Sequence, residues 1–348
     1  MSKSTEKNNL SYDDVLLVPQ YSDIRSRSGI DVSTDLGNNL KLELPIFSSP
    51  MDTISEAPMA IEISKHGGAA IIHRYVGIEK QARMIRMAHD LAKTDLIVGA
   101  AIGVTDDYVK RAKALHDAGA AFLCVDVAHG HHILMKEALH ELRATLGSDI
   151  HIMAGNVATV SAVNDLADWG ADSIRCNIGG GSICSTRIQT GHGVPGLQTI
   201  LDCAKTDRDV KIIADGGIRN SGDIVKALAA GADAVMCGSL LAGTDETPGK
   251  VLEDKSGVRW KIYRGMASKE AQISWRGRYA SHEGVSTTVP YRGSVKYILE
   301  DLERGIRSGF SYSGARSLSE LHACAQFVEQ TTSGLTESHT HIMGRKGQ

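Results

Sequence analysis

Three times in this chain a glycine-alanine pair closes a helix-like stretch and opens an apolar one: Gly119-Ala120-Ala121, Gly170-Ala171-Asp172 and Gly231-Ala232-Asp233. Glycine just past a helix end supplies the left-handed cap, and the small residues after it let the next strand tuck in. A chain punctuated in this way is committed to alternating helices and strands. Short apolar runs occupy 45–49, 69–73, 96–103, 121–128, 151–157, 173–178, 211–215 and 234–238. They are apolar on both faces, as buried parallel strands are. Helical patterns fall between them at 78–91, 106–118, 160–169 and 223–230. Eight β–α units over roughly 200 residues predict the α/β class and a (β/α)8 TIM barrel. A doubly wound open sheet is the competing architecture. With no low-complexity segment and no linker, a single catalytic domain over 1–348 is expected.

Composition narrows the partner more than the fold. At 348 residues the chain can bury a large core. Its 42% hydrophobic and 23% charged residues are ordinary for a globular protein. A net charge of -3 gives no basic footprint, so no nucleic-acid partner is expected. The first ten residues lack the apolar run of a signal peptide, and no later run is long enough to span a membrane. The six cysteines have no metal-ligand spacing, which predicts reduced thiols in a cytoplasmic protein.

Barrel strands point their C-termini at the active site. Ser48, Ser49 and Met51 follow the first strand; Asp126, His129 and His131 follow the fourth; Asn156 ends the fifth. The loop Asn177-Ile178-Gly179-Gly180-Gly181-Ser182-Ile183-Cys184-Ser185-Thr186-Arg187 follows the sixth, Asp215-Gly216-Gly217 ends the seventh and Gly238-Ser239 ends the eighth. All fall at one rim, where a chance scatter would divide them between both. Glycine amides and a serine hydroxyl suit phosphate, and Asp215 suits a ribose diol, though tight strand-to-helix turns want glycine too. Cys184 is the candidate nucleophile, with Arg187 and the loop amides to lower its pKa and Thr186 to hold a water or a proton. His129, His131 and His132 lack the spaced carboxylate of a metal site and read as cofactor contacts, substrate contacts or caps. The polar segment 263–293, with Arg276, Arg278, Tyr279, His282 and Glu283, reads as a lid or as a solvated loop.

Together these residues resemble the inosine-monophosphate dehydrogenase and guanosine-monophosphate reductase family, over nearly the whole chain. Ser11-Tyr12-Asp13-Asp14-Val15-Leu16-Leu17-Val18-Pro19 is similar to its N-terminal signature, Met51-Asp52-Thr53 to its first-strand motif and Gly181 through Arg187 to its catalytic loop. Ile213-Ala214-Asp215-Gly216-Gly217-Ile218 and Gly238-Ser239-Leu240-Leu241-Ala242-Gly243 are equally specific. The resemblance implies that the Cys184 thiolate bonds to purine carbon 2 and that hydride passes between this carbon and a nicotinamide. It implies a purine nucleoside monophosphate held by Ser48, Met51, Ser182, Asp215, Gly216, Gly217, Gly238, Ser239, Tyr263, Gly265, Met266 and Ala267. Cofactor contacts are expected at Asp126, His129 and Asn156.

The two activities share the covalent adduct and differ in its partner. In the dehydrogenase, water hydrolyses the adduct, with Arg278 and Tyr279 standing where the flap base is implied. In the reductase, the adduct forms by loss of ammonia, served by a threonine–glutamate pair, and is reduced by NADPH; Thr186 and Glu283 are candidate catalytic residues. Glu337-Ser338-His339 resembles a segment that reaches a neighbouring subunit's potassium site, whose other ligands are carbonyls matching Gly179, Gly181 and Cys184; a homotetramer is implied. Gly243 through Gly249 and Tyr263-Arg264-Gly265-Met266 look more like the dehydrogenase. Residues 78–95 leave no room, as in reductases, for the regulatory cystathionine-synthase-type domains of most dehydrogenases, and the flap is short where dehydrogenases usually have a longer excursion. Ala267 matches neither usage, and Ala280 and His282 do not match the guanine-recognising residues of many reductases. The sequence therefore predicts a compact NAD-dependent IMP dehydrogenase using potassium. GMP reductase is the alternative, and a lapsed nucleotide-binding regulator a distant third.

Overall fold

The structure, a computed structural model, describes residues 9–92, 96–278 and 283–340. The glycine-alanine punctuation works as its chemistry dictates. Gly119, Gly170 and Gly231 take φ of 95°, 108° and 107°, a backbone region costly for residues with a side chain. They follow the helices Tyr108–Asp117, Val160–Asp168 and Ser221–Ala229 and turn the chain into the next strand.

Eight parallel strands close into the expected barrel: β1 (Ile46–Ser48), β2 (Ala69–Ile72), β3 (Val98–Ile102), β4 (Phe122–Asp126), β5 (His151–Val157), β6 (Ser173–Cys176), β7 (Lys211–Asp215) and β8 (Ala234–Cys237). Closure is the pairing of β8 with β1, in the register Val235 to Ile46 and Cys237 to Ser48. Where the apolar run overreaches the strand, the backbone supplies the reason. At the end of β6, Asn177 donates a last bond to Val157 O at 2.8 Å but takes φ 140°, so the strand stops at Cys176 rather than at 178.

Inside the barrel Phe47 and Phe122 meet edge to face at 5.5 Å, with Met153, Ile213 and Met236 around them. The fit is tight enough that a side chain at Gly99 would run into the Phe122 ring. Burying each of these large side chains contributes about 1.5–3 kcal/mol. Leu36, Leu40 and Leu42, on the hairpin ahead of β1, belong to the same cluster and plug the barrel's N-terminal mouth. The C-terminal mouth is left for ligands. A second, larger apolar layer fills the space between strands and helices.

After β8 the chain builds an antiparallel sheet of β9 (Leu252–Glu253), β10 (Arg259–Arg264) and β11 (Ser286–Pro290), with the helix Lys269–Arg276 between the last two. Segment 263–293, read from the sequence as a lid or a solvated loop without periodicity, thus begins in β10 and contains β11. The alternation of β10 was hidden by Lys261, which is buried because its ammonium donates to the carbonyls of Thr244 and Thr247. Only residues 73–77 connect β2 to the helix Ile78–Leu91, so no domain is inserted there. Val15–Leu17 pairs with Phe327–Glu329 and joins the two ends of the described chain. Among the described residues no helix is long and apolar enough to cross a membrane.

Candidate active site

The strand ends and the cover enclose a cavity of about 420 Å³ at the C-terminal mouth. Its wall includes Met51, Asp126, Asn156, Gly179, Gly181, Ser182, Cys184, Thr186, Asp215, Gly216, Gly217, Gly238, Ser239, Tyr263, Gly265, Met266, Ala267 and Glu283. Three expected contacts are placed elsewhere. Ser48 is fully buried beneath the floor, its hydroxyl 2.7 Å from that of Ser55, and Ser49 takes its place on the wall. His129 is exposed and off the wall, because the loop after β4 carries it outward past Ala128. Arg278 follows the left-handed cap at Gly277 and is exposed and off the wall, while Arg276 lines the cavity. Tyr279 lies outside the described residues, as do Ala280 and His282.

The loop 177–187 is shaped by its own side chains. A Cβ on Gly179 would lie 2.6 Å from Arg187 Cγ, and one on Gly180 would overlap the Asn177 amide. Arg187 donates to the carbonyls of Ile178 at 3.2 Å and Val194 at 2.6 Å, strapping the ends of the loop together. It was expected to serve the thiol; its hydrogen bonds go to backbone instead.

Cys184 is half-buried on the wall, and its thiol donates to Thr186 Oγ1 at 3.2 Å. The Thr186 hydroxyl in turn donates to Glu283 Oε2 at 2.9 Å. A hydroxyl has one proton to give, so sulfur, threonine and carboxylate form a directed path by which a proton can travel from thiol to glutamate. The backbone fixes this path. Ser185 N donates to Glu283 O at 3.0 Å, Val285 N to Ile183 O at 3.0 Å, and Cys184 bridges Gly284. Three other cysteines are unsuited to attack: burial pushes Cys124 and Cys237 up to about 12, and Cys176 well above its ordinary value.

The floor carries a chain of alternating charge. Asp215 Oδ2 accepts from Arg175 Nε at 3.2 Å, Arg175 Nη2 at 2.8 Å and Asn156 Nδ2 at 2.7 Å. Arg175 Nη1 reaches Asp126 Oδ1 at 2.6 Å. Burial opposes the Arg175 charge, but Asp215, the Cys124 sulfur and Asp126 more than offset it and hold the pKa high. Beyond Asp126, the Arg74 guanidinium lies over Tyr75 at 5.1 Å and Trp275 at 5.5 Å, and its Nε is buried without an acceptor. At the opposite end, burial raises the Tyr263 pKa while the Ser182 and Ser239 hydroxyls oppose the rise, so the phenol remains a donor. These hydroxyls share the wall with Gly216, Gly217 and Gly238, a glycine- and hydroxyl-rich stretch suited to phosphate.

Arg74, Tyr75, Arg175 and Trp275 were not anticipated. Arg74 and Tyr75 directly follow a strand end, the same signal that found Asp126. Arg175 is a lone charge inside a run that is otherwise buried. The tail turns back on itself: Ser338 Oγ lies 3.0 Å from Gln330 Oε1 and 2.9 Å from Gly334 O, after the helix Thr332–Glu337. Among the described residues no cluster of histidine, cysteine and carboxylate side chains could hold a metal ion.

Comparison with known proteins agrees with this geometry. The IMP dehydrogenase / GMP reductase domain matches residues 9–341. An inosine-5'-monophosphate dehydrogenase of Cryptosporidium parvum is 38% identical, over 95% of this chain and 94% of its own. A GMP reductase of Leishmania donovani is 34% identical, over 97% of each. Among solved structures, a GMP reductase from Trypanosoma brucei in complex with guanosine 5'-monophosphate aligns with a TM-score of 0.90 at 33% identity, covering 96% of this chain and 98% of that one.

Proposed function

The chain belongs to the IMP dehydrogenase / GMP reductase family, and from that premise we propose that it is a GMP reductase, deaminating GMP to IMP with NADPH through a covalent bond between Cys184 and purine carbon 2. The observation that carries the choice is the hydrogen bond from Thr186 to Glu283 beside the sulfur. In the first half of the reaction, the Cys184 sulfur adds to carbon 2, and its proton passes through Thr186 to Glu283. The amine at carbon 2 then leaves as ammonia, taking a proton back along the same path. A carboxylate one hydroxyl away from the reacting carbon suits both transfers. In the second half, the sulfur departs as carbon 2 is reduced, and IMP is released.

Bound nicotinamide dinucleotide supplies the hydride. The residues beyond Asp126 fit such a group: the Tyr75 and Trp275 rings on the wall, and Arg74 Nε, which lacks a hydrogen-bond acceptor and faces the second oxygen of Asp126 at 3.8 Å. At the phosphate end, Ser182, Ser239, Tyr263 and the glycine amides orient the nucleotide, with Asp215 placed for the ribose.

A second reading, the NAD-dependent IMP dehydrogenase expected from the sequence, is favoured by Arg278-Tyr279 and by Glu337-Ser338-His339. In that reading the tail and the carbonyls of Gly179, Gly181 and Cys184 share a potassium ion across a homotetramer. Four residues separate Arg278 from Glu283, which is pinned to Thr186. That leash spans at most about 17 Å, little for a flap that must replace a departing dinucleotide. Purified protein is incubated with GMP plus NADPH, and separately with IMP plus NAD, with and without potassium. NADPH consumption is expected. NADH production stimulated by potassium would overturn the reductase in favour of the dehydrogenase, and silence in both with tight nucleotide binding would favour a lapsed enzyme.

A further inference from the structure

We propose that Arg175 is the positioning residue for both ligands at once, fixing Asp215 for the nucleotide and Asp126 for the dinucleotide from a single guanidinium. It stands on β6, between the carboxylate of β7 and that of β4, and is 6% exposed. Three of its nitrogen–carboxylate contacts are at hydrogen-bond distance, two to Asp215 and one to Asp126. With Asn156 added, Asp215 Oδ2 accepts three donors and has no capacity for a ribose hydroxyl. The ligand-facing acceptor is therefore Oδ1, and Arg175 determines where it points. Asp126 is divided in the same way: Oδ1 belongs to Arg175, and Oδ2 remains towards Arg74, 3.8 Å away.

The guanidinium also answers an electrostatic need. Two carboxylates buried on one floor repel each other, and each loses solvation. Only a planar, permanently charged fork can serve both with fixed geometry. A lysine ammonium carries the charge but is a single point.

The inference deepens the reading of the site given above, and its test separates the two. Arg175→Met and Arg175→Lys are assayed as full-length protein, using whichever nucleotide and dinucleotide pair the unaltered protein turns over. For Arg175→Met, both Michaelis constants are expected to rise by about 10–100-fold, while kcat falls far less. Arg175→Lys is expected to restore the Michaelis constant of one ligand and not the other. A lysine variant with both constants at the unaltered level would overturn the proposal, and this remains readable if the methionine variant does not fold. A methionine variant that raises only one constant, or lowers kcat with both unchanged, would also overturn it. If the unaltered protein turns over neither pair, the proposed function fails instead, and calorimetric titration of the variants with GMP and with NADPH reads the same two effects.

Discussion

The floor of the cavity and its cover press polar side chains against the same space, yet hold them by different means. On the floor, Asp126, Arg175 and Asp215 stand on β4, β6 and β7 of a closed parallel ladder and pair with one another. Their geometry belongs to the barrel. In the cover, Glu283 is placed by backbone hydrogen bonds to the catalytic loop, while Arg264, at the end of β10, forks onto Asp52 at the rim. Its geometry belongs to a contact between two segments. The contrast teaches that the two regions are separable: opening the cover takes Glu283 away from Thr186, and Tyr263 and Trp275 away from the cavity, and leaves the charged chain of the floor intact.

The largest effect is expected at the sulfur. Cys184→Ala should lower turnover by on the order of 10⁴ or more while sparing nucleotide binding by calorimetry. Turnover within tenfold of the unaltered protein would remove the covalent step from either reading. Next is Glu283→Gln, which keeps the shape and the acceptor but cannot take the proton. It should cost about 10²–10⁴ in kcat with little change in the Michaelis constants. A rise in Michaelis constants with kcat preserved would mean that Glu283 grips ligand rather than carrying a proton.

The smallest effect comes from the far end of the barrel. His151 opens β5 at the plugged mouth, its Nε2 2.7 Å from Ser173 Oγ. Burial is the main cause that pulls its pKa down to about 4. The folded state therefore holds His151 neutral, while the unfolded chain takes up a proton near pH 6.5. Stability from this residue is present above pH 6.5 and is lost as pH falls towards 4, by roughly 2 kcal/mol at pH 5. Thermal melts should show a Tm decline between pH 7 and pH 5 that is shallower in His151→Asn. An equal slope in both proteins would acquit His151. Because this site is remote from the cover, the decline should track the barrel alone.

Much of this was legible in the chain. Glycine caps and runs apolar on both faces identify barrel strands, since burial on two sides leaves little room for ambiguity. Strand ends then place Asp126, Asn156, Cys184 and Asp215 at one mouth. What escaped has physical reasons. A charge within a buried run, such as Arg175, breaks the hydrophobic pattern, and its partners lie on other strands. The buried Lys261 disguised β10 as a polar loop. Ser48 and His129 show the limit of reading by strand end alone: one residue too early points under the floor, and a few residues too late swings clear of the cavity.

The bridge between Cys184 and Gly284 has a consequence in time. Thr186 and Glu283 are 97 residues apart, and the barrel's own closing strand ends at Cys237, well before Glu283. A chain leaving the ribosome from its N-terminus has every barrel strand before it has the glutamate that completes the sulfur's proton path. The nascent protein thus passes through a stage in which the container exists and the reagent does not.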